Sequence, residues 1–349
     1  MWQIDNRTPF AAAQSWIRDR QGAETWIVVV KATFDIAEDG STSVSSAQPQ
    51  PCRSPVYRGE PGLSSIEYDN DFVLGKVTTD IVVNGTAYAP NGQPVSEVGV
   101  GFRVGPVAKA LRVVGDRVWT AGGTGLSEPA SFVSQPVWYE RAFGGTDPTS
   151  AQPDVDRHWP NPSGTGFLVS AQGLSRVRVA NIEYYDDPVT SWRGRPKAAG
   201  LGAIASHWEE RARLAGTYDA SWERDRQPLL PADFDLRHCQ CAPRDQQAPA
   251  FLSGGEPVTL RNLTPAGTLA FDLPTIDLRL ETRFMDDERQ THPAPVLHTV
   301  ILEPDVPRVS LVFHSAIECH AKVYQLDHTR IFLRGDDDED DVTGGLLDL

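Results

Sequence analysis

Gln227 to Pro274, QPLLPADFDLRHCQCAPRDQQAPAFLSGGEPVTLRNLTPAGTLAFDLP, is the stretch on which the fold turns. Five prolines precede Val258 (Pro228, Pro231, Pro243, Pro249 and Pro257) and surround the short core Asp233, Phe234, Asp235. Proline fixes φ and drives its predecessor into extended backbone, so no long helix forms here. From Val258 onward, Val258, Leu260 and Asn262 alternate with Thr259, Arg261 and Leu263, the period of a strand. The expectation is an ordered, irregular segment lying across a β framework. Such a segment must pair its own backbone polar groups, and it acts either as a binding surface or as a long surface loop stiffened by proline.

Working outward, strand signals flank it on both sides. Trp26, Val28, Val30, Ala32, Phe34 and Ile36 share one face and Lys31, Thr33 and Asp35 the other, which predicts a half-buried strand ending near the turn Asp39-Gly40. Lys76 to Ala89 is a second strand region. Val98, Val100, Phe102 and Val104 form a third, and Leu111 with Val113, returning through Val118 and Trp119, completes an expected antiparallel meander. Downstream, Ile276 to Phe284, Leu297 to Leu302, Val309 to His314 and Lys322 to Leu326 read as strands. Between the two strand-rich parts, Gly122 to Gly202 is dense in Gly, Pro, Asn and Asp but rich in aromatics, the mark of pinned loops rather than disorder. Ser206 to Leu214, with Ser206 as cap and Glu209 three residues on, predicts a short helix, and Thr217 to Arg226 a second.

The fold class that follows is mainly β: antiparallel sheets, sandwich-like or split into two β subdomains, with long ordered Gly/Pro-rich loops and one or two short helices. By sequence the chain divides into an N-terminal β region (1–126), a loop-rich aromatic centre (127–226), a C-terminal β region opened by the proline-rich segment (227–335) and an acidic tail (336–349). That tail begins with six consecutive acids, Asp336 to Asp341, and reads as a solvated charge run.

A net charge of −15 over 349 residues argues against nucleic acid and anionic membrane as partners, because both need clustered Lys and Arg. No basic leader precedes an apolar stretch, and no apolar run reaches membrane-span length, so a cytoplasmic protein with reduced thiols is expected. His238, Cys239 and Cys241, with Cys52, Cys319 and His320 elsewhere, are zinc-ligand types, but Cys-x-Cys lacks the usual spacing and small buried thiols are the simpler reading. Asp233 and Asp235 share a face in an extended segment. With Glu140 or Asp147 they would resemble the carboxylate pair of a glycoside hydrolase, against the alternative that they accept backbone N–H bonds and fix a turn. No nucleophile elbow, phosphate loop or dinucleotide fingerprint is present, and Gly164-Thr165-Gly166 is too short to hold a nucleotide. Gly144 and Gly145 read as a sharp turn, with Arg141 pairing an acid. No catalytic, cofactor or metal residue is assigned.

The succession WIVVVKATFDI, YRGEPGLSSIEYDNDFVLGKVTTDIVVNGTAYAP, WYERAFGGTDP, NPSGTGF, GTYDASW, QPLLPADFD, APRDQQ and GGEPVTLRNLTPAG resembles a bacterial family known as a domain of unknown function. The likeness runs from Thr8 to about Phe313. Members of that family accompany type VI secretion systems and are similar to adaptor chaperones for effectors carrying a PAAR spike-tip domain. The resemblance implies a non-enzymatic cytoplasmic protein that holds a PAAR-domain effector and helps load it onto a VgrG-type spike. His238 to Cys241 places two thiols in a block where the family pattern has none. On this reading the partner surface is expected at Trp138, Tyr139, Arg141, Phe143, Trp159 and Phe167 of the central loops and at Asp233, Phe234, Asp235 and Asp245 of the proline-rich segment.

Overall fold

The computed structural model describes residues 2–335 apart from 121, 122, 124 and 176, and the chain is mainly β. The run of β-branched residues at Glu24–Ile36 forms the longest strand and the middle of the main sheet. Ala11–Arg18 pairs along one edge of it and Arg308–Glu318 along the other, both antiparallel. Val296–Glu303 follows antiparallel to Arg308–Glu318, and Asp80–Val83 closes the sheet in parallel. A second sheet has the order Ile182–Glu183, Val107–Val114, Glu97–Val104, Pro257–Arg261, Thr268–Asp272, antiparallel throughout. A third contains Gln3–Asn6, Leu326–Leu333, Leu278–Phe284 and Arg289–Thr291. N-terminal and C-terminal strands therefore share all three sheets, and one apolar core takes in Val28 of the first, Val100 of the second and Leu280 of the third.

Several expectations are corrected by the packing. Glu24–Ile36 is buried on both faces, not half-buried: Ile27 and Val29 pack with Phe72, Ile301 and Val312, and Thr33 Oγ1 meets Ser310 Oγ at 2.9 Å. Lys31 lies over the Tyr68 ring at 5.1 Å, so its stem joins the buried layer. The expected meander splits. Glu97–Val104 and Val107–Val114 are a hairpin through Gly105, but Asp80–Val83 belongs to the other sheet, and Trp119 makes only an isolated bridge to Leu126. Residues 323–325 form a 3-10 turn before Leu326–Leu333, rather than a strand.

Two short α-helices are present among the described residues, Glu209–Ala212 and Ala220–Asp225. The first is capped not by Ser206 but by Trp208, whose side chain makes no cap bond. Burying Trp208 against Tyr139, ring centroids 5.1 Å apart and nearly perpendicular, outweighs a cap worth about 1 kcal/mol. In the second helix Asp219 Oδ1 accepts from Trp222 N at 2.8 Å. The acidic tail lies outside the described residues.

Candidate binding cleft

The proline-rich segment crosses the β framework as expected, but its middle is core rather than surface. Asp80 on the edge strand of the main sheet is fully buried and accepts from Gln240 Nε2 at 2.8 Å, from the Cys241 N–H at 2.7 Å and from Lys76 Nζ at 2.6 Å. Gln246 Nε2 donates to the carbonyls of Ile81 and Leu201, and the Ala248 and Leu252 N–H groups bond Thr79. Side-chain amides thus complete the edge that an unpaired strand would leave open. Burial lowers the pKa of Lys76, but the attraction of Asp80 outweighs it and the net shift is upward.

The aromatic centre is held by a crossing of two glycine-rich loops. Phe143–Thr146 pairs in parallel with Thr165–Gly166 and antiparallel with Arg157–His158. Asn161 Nδ2 donates to the carbonyls of Tyr139 (2.9 Å) and Phe143 (3.1 Å), while its own carbonyl accepts from the Gly145 N–H. A Cβ on Gly144 would strike the Asn161 carbonyl and one on Gly145 the Gly164 carbonyl, and both have positive φ. The glycines of FGGTD and NPSGTG therefore let one backbone pass against another.

Where this crossing, the loop at 184–198 and the turn at Pro243–Asp245 come together, an open cleft of about 630 Å³ results. Tyr139, His158, Tyr184, Arg195, Glu210 and Asp245 line it. Asp245 is held on both oxygens, by Lys109 Nζ at 3.0 Å and by Tyr184 OH at 2.9 Å. Lys109 Nζ also reaches Gln246 Oε1 at 3.0 Å and lies over the Tyr184 ring. Burial lowers the Lys109 pKa against the pull of Asp245, and burial followed by Asp245 raises that of Tyr184. His158 is pushed down to about 4, chiefly by burial and then by Arg195, so it is a neutral ring at neutral pH, packed on Phe143 and Phe167. Arg195 covers the Phe167 ring at 4.7 Å. The walls combine the neutral His158 ring and the rings of Tyr139 and Tyr184 with the charged side chains of Asp186, Arg195, Lys197, Glu210 and Arg244.

The sequence pattern of a family described as "Uncharacterized protein conserved in bacteria (DUF2169)" matches residues 21–314. The chain belongs to that family. No curated protein and no solved structure matches it.

Within this DUF2169 protein the anticipated contact residues lie in different surroundings. Trp138 and Trp159, 38% and 47% exposed, are surface aromatics, each with a guanidinium over its ring, Arg58 at 4.7 Å and Arg157 at 5.6 Å. Asp245 and Tyr139 border the cleft, but Tyr139 is 3% exposed and presents little more than an edge. Phe143 and Phe234 are buried, where their rings contribute to packing rather than to exposed surface. Phe167 sits beneath Arg195, and Arg141 pairs with Asp116 (3.6 Å) and Asn181 (3.2 Å).

The carboxylates weighed as a hydrolytic pair are each tied up locally. Asp233 accepts from Thr217 N and Oγ1, and Asp235 from Arg237, which holds its pKa at about 2. Glu140 accepts from Ser65 N and Oγ, and Asp147 from Thr149 and the Val169 N–H. Burial raises the pKa of each of the four thiols, Cys241 most, and Cys241 Sγ lies 3.3 Å from Lys76 Nζ. Among the described residues no group of three or more His, Cys, Asp or Glu side chains is placed to hold a metal. Sequence reasoning missed Tyr184, Arg195 and Glu210 as cleft residues and Lys109 as the buried cation behind Asp245. Lys109, in VAKALRVV, sits on the inward face of an alternating strand, and that misplaced charge was the available signal.

Proposed function

We propose that this DUF2169 protein is an adaptor of a bacterial type VI secretion system, which holds an effector, through its PAAR region, and helps load it onto a VgrG spike. The observation that carries this reading is the open cleft built from several separate stretches of chain, with aromatic rings and charged side chains side by side in its walls, Asp245 held by Lys109, and exposed Trp138 and Trp159 on neighbouring loops. Extended polypeptide binds such surfaces by seating apolar side chains between aromatics and pairing its own charges with those of the walls. The net charge of −15 favours encounter with a basic partner by electrostatic steering. Location in the bacterial cytoplasm goes with this role, and no helix among the described residues is long and apolar enough to cross a membrane.

The test is co-purification of the neighbouring PAAR-bearing effector with the wild-type protein and with Trp159→Ala. Both tryptophan loops are exposed, so the variant is expected to fold normally and to lose at least about tenfold in affinity, the usual loss for an aromatic hot spot. Unchanged effector stability, loading and secretion in cells lacking the protein would remove the adaptor reading.

A further inference from the structure

Beside the cleft, and sharing Ile204, Glu210 and Arg244 with it, lies a second hollow of about 240 Å³. Its composition runs against the rest of the molecule. In a chain of net charge −15, Arg211, Arg213, Arg237 and Arg244 line this hollow against a single acid, Glu210. Like charges gathered in one place repel, so such a cluster either carries its own counter-charges or is built to receive one.

Two of the four arginines are already neutralised. Arg211 is buried and fixed: its Nε donates to the His238 carbonyl at 3.0 Å, and its Nη1 to Asp69 and to the Ile204 carbonyl, both at 2.7 Å. Arg237 is paired with Asp235. Arg213 and Arg244 are exposed, and neither side chain makes an ion pair or a hydrogen bond among the described residues. Glu210 uses one oxygen to accept the Arg244 backbone N–H at 3.2 Å. Behind them Gln240 is buried, its amide spent on the Thr78 carbonyl, Asp80 and the Val77 N–H, so this part of the wall is rigid. Two uncommitted guanidinium groups therefore face one carboxylate, and the hollow keeps a surplus positive charge.

We propose that this hollow is a carboxylate pocket, which takes an Asp or Glu side chain of the polypeptide held in the cleft, with Arg213 and Arg244 as its donors. The source of that polypeptide rests on the adaptor reading. A guanidinium presents paired N–H donors that match the two oxygens of a carboxylate. The surplus positive charge balances one carboxylate, whereas a phosphate group, with nearly two negative charges, would lie beside Glu210 without a second counter-charge. Because Ile204, Glu210 and Arg244 belong to both walls, a chain lying in the cleft passes beside the hollow and needs only one acidic side chain to reach it. The overall negative charge draws a basic partner, and a single acid placed here then fixes which of its residues lie in the cleft.

The test is a calorimetric titration of the full wild-type chain, of Arg213→Gln/Arg244→Gln, and of a control, Arg103→Gln/Arg261→Gln, which removes the same charge from exposed arginines of the second sheet. Each is titrated with the neighbouring PAAR-bearing effector and, separately, with a blocked triglutamate peptide, inorganic phosphate at equal ionic strength serving as comparison. The side chains of Arg213 and Arg244 are exposed and unbonded, so the pocket variant is expected to fold as the wild type does. It should bind both effector and peptide at least about tenfold more weakly, the loss that goes with charge-assisted hydrogen bonds, while the control stays within about twofold of wild type. Phosphate should bind the wild type more weakly than the peptide does. A peptide that does not bind, binding unchanged in the pocket variant, equal losses in the two variants, or phosphate held as tightly as the peptide would each overturn the assignment, and the adaptor reading would stand as long as the effector still binds. An effector that fails to bind the wild type, while the peptide binds through the two arginines, would support the pocket and remove the adaptor reading.

Discussion

Replacing Lys76 with Met probes whether the buried ion pair fastens the proline-rich segment to the main sheet. Lys76 and Asp80 have side chains 4% and 0% exposed, and their charged atoms are 2.6 Å apart. At an effective dielectric of about 20 the attraction is about 6 kcal/mol, against a desolvation cost of several kcal/mol for each ion, so the intact pair contributes little net stability. Breaking it from one side is different. In Lys76→Met the Asp80 carboxylate keeps only the Gln240 and Cys241 donors and remains an uncompensated buried charge, a loss of about 3–5 kcal/mol. Asp80→Leu should cost as much, because it strands Lys76 and leaves those two donors unpaired. The double variant Lys76→Met/Asp80→Leu removes both charges and should cost about 2–3 kcal/mol less than the sum of the single variants. Urea unfolding followed by tryptophan fluorescence reads all three, since Trp208 is fully buried beside Tyr139. Hydrogen exchange at 240–247 should rise in both single variants. Single losses under about 1 kcal/mol, or losses that add within about 0.5 kcal/mol, would refute the account.

Three further outcomes follow from the same structure. Gly145→Ala meets both a positive φ of +85° and the Gly164 carbonyl, so it should lower stability by about 3 kcal/mol or more, seen as a fall of several degrees in Tm; an unchanged Tm would mean the two loops do not cross in contact. Burial pushes His292 and His314 down to about 4, whereas both take up protons near 6.5 when unfolded. The unfolded chain thus binds more protons between those values, and the contribution of these two rings should lower stability as pH drops from about 6.5 to about 4, with His292→Gln flattening the slope of the urea midpoint against pH in that window. Asp245→Ala removes the acceptor shared by Lys109 and Tyr184 and should weaken partner binding more than Asp233→Ala, whose carboxylate only ties Thr217; equal effects in a binding titration would place the partner outside the cleft.

By itself the sequence determined the class of fold and most of its strands, because alternation of side chains on a strand is a local property: Val98 to Val104 and Leu278 to Phe284 show it plainly. It also determined that the stretch from Gln227 to Glu256 is irregular yet ordered and that strands resume after it, since proline acts through its own φ and its neighbour's. Which strands pair was decided by tertiary structure. Asp80–Val83 lies beside Val296–Glu303 across more than two hundred residues, and no local period encodes such a partner. The same holds for burial. Phe143 and Phe234 have the composition of contact residues, and only the packing around them makes them core, just as only the fold brings Lys109, Tyr184 and Asp245 within hydrogen-bonding distance.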